Sequence, residues 1–328
     1  CSRDTDVCFP SLAPVLRNLL SLVFYARFYR RFSAVGLRER RRMWTPFAED
    51  LGGQRWLVTG ASGGIGAAMA RMAYARGAEV LAVARSAEKL AELQRACGGD
   101  GRLEPLAVDL ASIRAIRGLV AQLTQRGERI DVLVNNVGVL LNAHSLSAEG
   151  FETSFVTNLL GHFVLTEGLH HAGLIDAAGA VINMSSGGMY GAPLELAKMD
   201  LRDPATFDGM AAYAQHKRAQ VELTRAWNQR WQGAPKVYVM HPGWADTAGV
   251  QSSLPWFRAV LASRLRTAED AADTALWLGT TRPALPADGG IWLDRVLDPE
   301  HEFDYTRRSA ATAAQLFDHL ASVAQALR

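Results

Sequence analysis

A short apolar run, Arg55–Thr59, opens into Thr59-Gly60-Ala61-Ser62-Gly63-Gly64-Ile65-Gly66 and then into an alanine-rich segment of helical character ending at Gly77. No other passage constrains the fold as strongly. Glycines let a chain turn tightly and approach a phosphate closely, and a helix that starts there aims its free amides at the anion. The residues placed to touch such a ligand are Gly60, Ser62, Gly64, Ile65 and Gly66. The glycines alone would also suit a plain tight turn; the strand before them and the helix after them favour a pyrophosphate turn in a βαβ unit. No Gly-Lys-Ser/Thr sequence closes the motif, which disfavours a P-loop nucleotidase.

Downstream, apolar runs at 79–84, 103–108, 130–135, 180–185 and 236–241 predict further strands, with a short seventh at 290–293. Helical segments are predicted between them over 87–97, 112–126, 147–172, 208–231 and 267–279. Strands that alternate with helices give the α/β class and a Rossmann-type, doubly wound parallel sheet of about seven strands in a single domain over residues 51–300. Residues 1–50 are predicted to form an N-terminal helical arm, and residues 301–328 a helical tail packed on the domain. The 328 residues, 49% hydrophobic and 21% charged, can bury a sizeable core and are not those of a disordered or collagen-like chain.

Charge separates arm from body. The net charge is +2, yet residues 1–50 carry nine arginines against five acids, so the remainder is mildly acidic. With no basic stripe in the body, no nucleic-acid partner is expected. Leu12, Leu16, Leu19, Leu20, Val23, Phe24, Phe28 and Phe32 recur at steps of three and four, which predicts an amphipathic helix. Its charge-free run, 18–26, is too short to span a bilayer. Arg27, Arg30, Arg31, Arg38, Arg40, Arg41 and Arg42 follow. Two readings stand level: peripheral contact with an anionic membrane surface, or packing on the body or a partner. Cys1, Cys8 and Cys97 cannot build a disulfide framework, so a reducing, cytoplasmic setting is expected, with membrane association if the arm meets lipid. The chain does not begin with Met, which implies trimming, processing or a fragment; a lipidated leading Cys is disfavoured.

Three further features carry chemistry. The second strand ends Val83-Ala84-Arg85, with an arginine where an acid would bind a ribose 2′-hydroxyl, which favours NADP(H) and leaves NAD(H) as the alternative. Tyr213 and Lys217 are four apart, on one helix face. A phenol with a reference pKa of about 10 is a poor acid or base at neutral pH, and a neighbouring ammonium brings it closer to working range. Ser186, after the fifth strand, can hydrogen-bond a substrate carbonyl.

In identity and order these motifs, with Asp109, Asn135-Asn136-Val137-Gly138, Asn158, Ser185-Ser186, Pro242-Gly243 and Thr247, resemble the short-chain dehydrogenase/reductase family over residues 52–295. Val137 stands where that family carries Ala. Ser185 to Met189, Phe207 to Arg218, His241 to Thr247 and Asp294-Arg295 further resemble its subgroup called dehydrogenase/reductase SDR family member 12. The resemblance implies Tyr213 as proton donor and acceptor, Lys217 as the group that lowers its pKa and binds the nicotinamide ribose, and Ser186 rather than Ser185 as the carbonyl-orienting serine. It implies Asn158 as holder of a relay water, and Asp109 and Asn135 on the adenosine side. Leu110, Val137 and Gly138 would line the cofactor, and Pro242, Gly243 and Thr247 its nicotinamide end. The expected reaction interconverts a hydroxyl and a carbonyl on a small apolar or amphipathic molecule. The alternatives are a cofactor-binding sensor or scaffold with little turnover, and an epimerase or dehydratase. The family also implies a homo-oligomer.

The segment between Ser186 and Tyr213, with Met189, Tyr190, Pro193 and Leu194, is expected to form a substrate-facing flap or a plain surface loop. Trp244, Asp246 and Trp256 are expected at a substrate lid or in packing. Asn142, His144 and Ser145 are assigned to a solvated loop or the pocket edge, and His216 to an ordinary helix face. His170, His171, His241 and His301 show no metal-ligand spacing, so no metal is expected.

Overall fold

The computed structural model describes residues 27–44, 46, 50–246, 255–287 and 289–327. The chain alternates as β1 (Arg55–Thr59), α1 (Gly64–Tyr74), β2 (Glu79–Ala84), α2 (Ala87–Ala96), β3 (Leu103–Ala107), α3 (Ile113–Arg126), β4 (Ile130–Asn135) and α4 (Gly161–His171). It continues with β5 (Ile175–Met184), α5 (Gly209–Arg230), β6 (Lys236–Met240), α6 (Ala268–Thr281), β7 (Ile291–Leu293), β8 (Val296–Asp298) and α7 (Ala313–Gln325). The sheet order is β3-β2-β1-β4-β5-β6-β7-β8. All neighbouring pairs are parallel except β7–β8. Strand polarity and order match the expected doubly wound sheet, with one short antiparallel strand beyond the seven.

The central strands are apolar almost throughout because helices cover both faces. In β1 every residue after Arg55 is buried. Helix α3 shows the local logic: Ile113, Ile116, Leu119 and Leu123 bury one face, Ser112 caps its start, and Gly127 at φ 63° ends it. Helix α7 buries Ala313, Leu316, Phe317 and Leu320, and Phe317 meets Phe163 edge-on at 5.1 Å.

Three stretches differ from expectation. β5 begins at Ile175, five residues early. The helix expected over 147–172 starts at Thr153 and passes through a π-helical turn, Val156–Leu160, before α4. The first part of the segment after Ser186 is interior and not a flap: Met189, Tyr190 and Leu194 are fully buried. The Tyr190 hydroxyl donates to the Pro299 carbonyl at 2.9 Å. An interior partner for that hydroxyl is what makes its burial tolerable.

The described part of the arm is docked on the body. Phe28 and Phe32 are fully buried, stack on each other at 4.5 Å, and stack on Tyr190 at 5.2 and 6.0 Å. Arg31 pairs with Asp298 and Glu302, Arg40 with Asp294, and Arg41 with Asp270. The apolar period and the arginines that suit a lipid surface here serve a core contact and a set of ion pairs. The rest of the amphipathic stretch, 12–26, lies outside the described residues.

Candidate active site

β1, β4, β5 and β6 are neighbours, so their carboxyl ends bring the glycine turn, residues 135–138, Ser185-Ser186 and Pro242-Gly243 to one edge of the sheet, where open parallel sheets bind ligands. The turn is tightly made. A Cβ at Gly66 would lie 2.4 Å from the Gly60 carbonyl oxygen and 2.6 Å from Asn136 Nδ2. Gly60 has φ +70°, and its Cβ would lie 2.9 Å from the same Nδ2. Thr59 Oγ1 donates to the Val134 carbonyl at 3.0 Å and accepts from the amides of Asn136 (2.9 Å) and Val137 (3.1 Å). Asn136 Nδ2 donates to the Thr59 carbonyl at 2.7 Å. At Gly63, by contrast, nothing lies within 4 Å of an added Cβ. The result is an exposed, backbone-lined cradle at the N-terminus of α1, which fits a dinucleotide pyrophosphate. Ser62 and Ile65 are half-buried beside it.

Other expected cofactor contacts divide. Arg85 and Asp109 are exposed beyond the carboxyl ends of β2 and β3, and Asp109 Oδ1 accepts the Ala111 amide at 3.0 Å. Val137 packs beside Gly60, and Gly138 is exposed where an added Cβ would lie 3.4 Å from both Asn158 Oδ1 and Lys217 Nζ. Pro242 gives its carbonyl to Arg266 Nη1 at 3.2 Å, and Gly243, at φ +76°, has no room for a side chain above the Arg266 guanidinium. Two assignments need correction. Asn135 is fully buried, and its Nδ2 donates to Thr166 Oγ1 and Asn183 Oδ1, both at 2.9 Å, so its side chain joins core elements and does not face adenosine. Leu110 is 4% exposed and its side chain belongs to the core. Thr247 lies outside the described residues.

The residues expected to handle the proton lie close together. Ser185 Oγ donates to the Lys217 carbonyl at 2.8 Å and so is tied to α5. Ser186 caps the turn Gly187–Gly191, its Oγ accepting the Gly188 amide at 3.4 Å, and stands near enough to Tyr213 to pull its phenol down against burial. A Cβ on Gly188 would touch the Tyr213 ring at 3.3 Å, so that glycine lets the ring lie against the turn. Lys217, one helical turn on, is 3% exposed, with Nζ 5.5 Å from the centre of the Tyr213 ring. Nζ donates to the Met184 carbonyl at 2.7 Å. Burial lowers the Lys217 pKa to about 7. Burial pushes the Tyr213 phenol up, and the Ser186 hydrogen bond works against that shift. The lowering of Tyr213 expected from Lys217 is not among the influences on the phenol here; burial sets the direction and Ser186 alone opposes it.

Asn158 sits in the π-helical turn, a feature often found where a helix is bent to serve a site. Its side chain is already engaged: Oδ1 accepts from the Val139 amide at 2.7 Å and Nδ2 donates to the Val139 carbonyl at 2.8 Å. His216, assigned from sequence to an ordinary helix face, is fully buried. Its Nε2 lies 2.7 Å from the Met199 carbonyl and its Nδ1 3.4 Å from Asn158 Nδ2. Gln220 and His162, absent from the sequence assignments, join this network. The spacing 213, 217, 220 on one helix face was the available signal for Gln220.

The rim inferred for the substrate also changes. Met189, Tyr190 and Leu194 belong to the interior, and Trp244 is 9% exposed and meets Phe32 edge-on at 5.9 Å. The side chain of Trp256 lies outside the described residues. Away from the site, Glu222, Glu300 and His301 bring ligand atoms within 4.8 Å of one another, a grouping the sequence did not suggest, but Arg225 pairs with both carboxylates.

Comparison with known proteins agrees with this geometry. Residues 54–197 match the family model described as short chain dehydrogenase. The chain is 33% identical over 317 residues to Dehydrogenase/reductase SDR family member 12 of Bos taurus, covering 93% of this chain and 98% of that protein. It is 32% identical over 206 residues to Retinol dehydrogenase 13 of Homo sapiens, covering 62% of each. Among solved structures, the Pseudomonas aeruginosa RhlG/NADP active-site complex superposes with a TM-score of 0.57 at 25% identity, covering 73% of this chain and 93% of that one.

Proposed function

The chain belongs to the short-chain dehydrogenase/reductase family, and from that premise we propose that it uses NADP(H) to interconvert a hydroxyl and a carbonyl on a small apolar or amphipathic molecule. It is an NAD(P)-dependent oxidoreductase; the choice of NADP(H) and the substrate class are the parts proposed here. The observation that carries the reading is the convergence of Ser186, Tyr213 and Lys217 beside a dinucleotide cradle.

The nicotinamide, when bound, supplies or accepts the hydride. The protein's residues handle the rest. Ser186 orients the substrate oxygen by hydrogen bonding. Tyr213 gives that oxygen its proton in the reducing direction and takes it back in oxidation, and the burial that holds the phenol protonated loads it as a donor. Lys217, when charged, stabilises the phenolate left behind. Arg85, exposed just beyond β2, would pair with a 2′-phosphate, and similarity to the NADP complex of RhlG supports that choice. The apolar substrate class is supported by similarity to a retinol dehydrogenase.

The test is NADPH oxidation against a panel of aldehydes and ketones that includes all-trans-retinal. Tyr213→Phe should lose roughly 10²- to 10⁴-fold in turnover while NADPH fluorescence still reports binding; full turnover by this variant overturns the mechanism. Arg85→Ala should lose about ten- to a hundredfold in NADPH affinity with NADH affinity unchanged. Peripheral membrane contact through residues 12–26 and homo-oligomer formation complete the proposal. They are checked by liposome sedimentation with and without residues 1–26, and by analytical ultracentrifugation.

A further inference from the structure

Gln220 lies one turn beyond Lys217 on α5 and is 1% exposed. Its side chain makes three hydrogen bonds. Oε1 accepts from Lys217 Nζ at 3.2 Å. Nε2 donates to the Asn158 carbonyl at 2.9 Å and lies 3.2 Å from His162 Nδ1. The amide orientation follows from its partners: an ammonium can only donate and a backbone carbonyl can only accept. Oε1 must therefore face Lys217 and Nε2 must face Asn158. His162 Nδ1 is then the acceptor of the second Nε2 hydrogen, and the imidazole is neutral.

We propose that Gln220 is a positioning residue for Lys217, its amide bridging the ammonium to the Asn158 carbonyl and so fixing the ammonium beneath Tyr213 from within the protein. The proposal rests on the reading of Tyr213 and Lys217 as the proton-handling pair. Lys217 Nζ has two protein acceptors, the Met184 carbonyl and Gln220 Oε1. The first is on the strand and the second on the helix, so together they set the direction of the remaining N–H. The titratable side chains packed around this point are Tyr213 and His216 on α5 and His162 on α4. Both histidines are held neutral by burial. Gln220 is thus a polar acceptor for the ammonium that no neighbouring carboxylate duplicates among the described residues around it. It also donates to the carbonyl of Asn158, the residue the family resemblance assigns to a relay water, and so joins Lys217 to the π-helical turn directly.

The test reads Lys217 itself, in the 328-residue chain without substrate. Competitive acetylation with acetic anhydride across pH, followed by mass spectrometry of the Lys217 peptide, gives its titration midpoint. Gln220→Met keeps the length and removes the acceptor; the midpoint should move to lower pH by about one unit, a tenfold loss of proton affinity. Gln220→Glu places a carboxylate at the ammonium, and the midpoint should move at least as far to higher pH. Should Gln220→Met fail to fold, Gln220→Glu carries the test in the opposite sense. With an active carbonyl substrate, the acid–base limb of kcat should shift in the same two directions. A midpoint unchanged within about 0.3 unit in a folded variant overturns the proposal. A shifted midpoint in a protein whose Tyr213→Phe variant turns over normally would instead uphold the Gln220–Lys217 coupling and defeat the proton-handling reading.

Discussion

The side chains of Arg266 and Asp294 form an ion pair at 2.6 Å with 1% of each exposed. The pair is also a junction. Arg266 Nε donates to the Phe32 carbonyl at 2.8 Å and Nη1 to the Pro242 carbonyl at 3.2 Å, while Arg40 of the arm pairs with the same aspartate. The Trp244 amide donates to the Phe32 carbonyl as well, at 2.8 Å. One buried guanidinium thus joins the arm, the loop after β6 and the loop after β7.

Breaking that junction from one side should be costly, because it strands a charge in the interior. Asp294→Ala is expected to destabilise the fold by about 3–5 kcal/mol, and Arg40→Ala, at the half-exposed edge of the cluster, by about 1 kcal/mol. Urea denaturation of the two variants checks the order. Equal losses would show that Arg266 does not depend on Asp294 for its burial.

Stability should fall in mild acid, and the sign follows from the buried imidazoles. His162, His216 and His241 are almost wholly buried, and burial lowers their pKa values, to about 3 for His162, about 4 for His216 and well below the ordinary value for His241. Below pH 6.5 the unfolded chain binds protons that the folded chain refuses, so stability is lost as pH falls. Three such groups remove about 3–4 kcal/mol between pH 7 and 5.5. Lys217 extends the slope above neutrality, since it loses its proton near 7 when folded and near 10.5 when unfolded, so stability should rise from pH 7 to 9. Buried Glu222 and half-buried Asp298, whose pKa values burial raises, oppose the slope, because the folded chain takes up their protons before the unfolded chain does as pH falls. Urea midpoints at pH 5.5, 7 and 9 test this; a flat series contradicts it.

The two adjacent serines should separate cleanly. Ser186→Ala removes the hydroxyl beside Tyr213 that the proposed mechanism turns toward the substrate oxygen, and turnover should fall roughly 10²-fold with little change in stability. Ser185→Ala removes only the bond to the Lys217 carbonyl, leaving that buried acceptor short of a partner; stability should fall by about 1–2 kcal/mol with turnover within a few-fold of normal. Parallel melting curves and steady-state rates decide the assignment.

What the sequence makes legible here is what is local. The glycine turn lies within eight residues and the Tyr213–Lys217 pair within one helical turn, so composition and spacing carry them. Strand order follows from alternation and handedness. What the sequence left open or misassigned involves distant partners. Phe28 and Phe32 have the same period whether they meet lipid or Tyr190, and nothing near residue 32 in sequence announces a stacking partner so far along the chain. Asn135 sits in a recognisable motif, yet its side chain bonds to Thr166 and Asn183, a choice made by strand packing that spacing cannot express. His216 and Gln220 look like ordinary polar positions of a helix until the segment carrying Met199 and the π-helical turn cover that face.

The glycine turn offers the sharpest separation of folding from ligand binding. Gly66 and Gly63 are three residues apart with opposite surroundings. A Cβ at Gly66 collides with backbone at 2.4 Å, so Gly66→Ala should destabilise the fold by about 1–3 kcal/mol. At Gly63 the backbone is extended, with φ −179°, and nothing lies within 4 Å of an added Cβ, so Gly63→Ala should leave stability within about 0.5 kcal/mol of the parent. The open space at Gly63 is, however, where a pyrophosphate would approach the start of α1, so the same methyl should weaken NADPH binding at least tenfold, read by fluorescence titration. A Gly63→Ala protein that binds NADPH as tightly as the parent would place the phosphates elsewhere along the sheet edge.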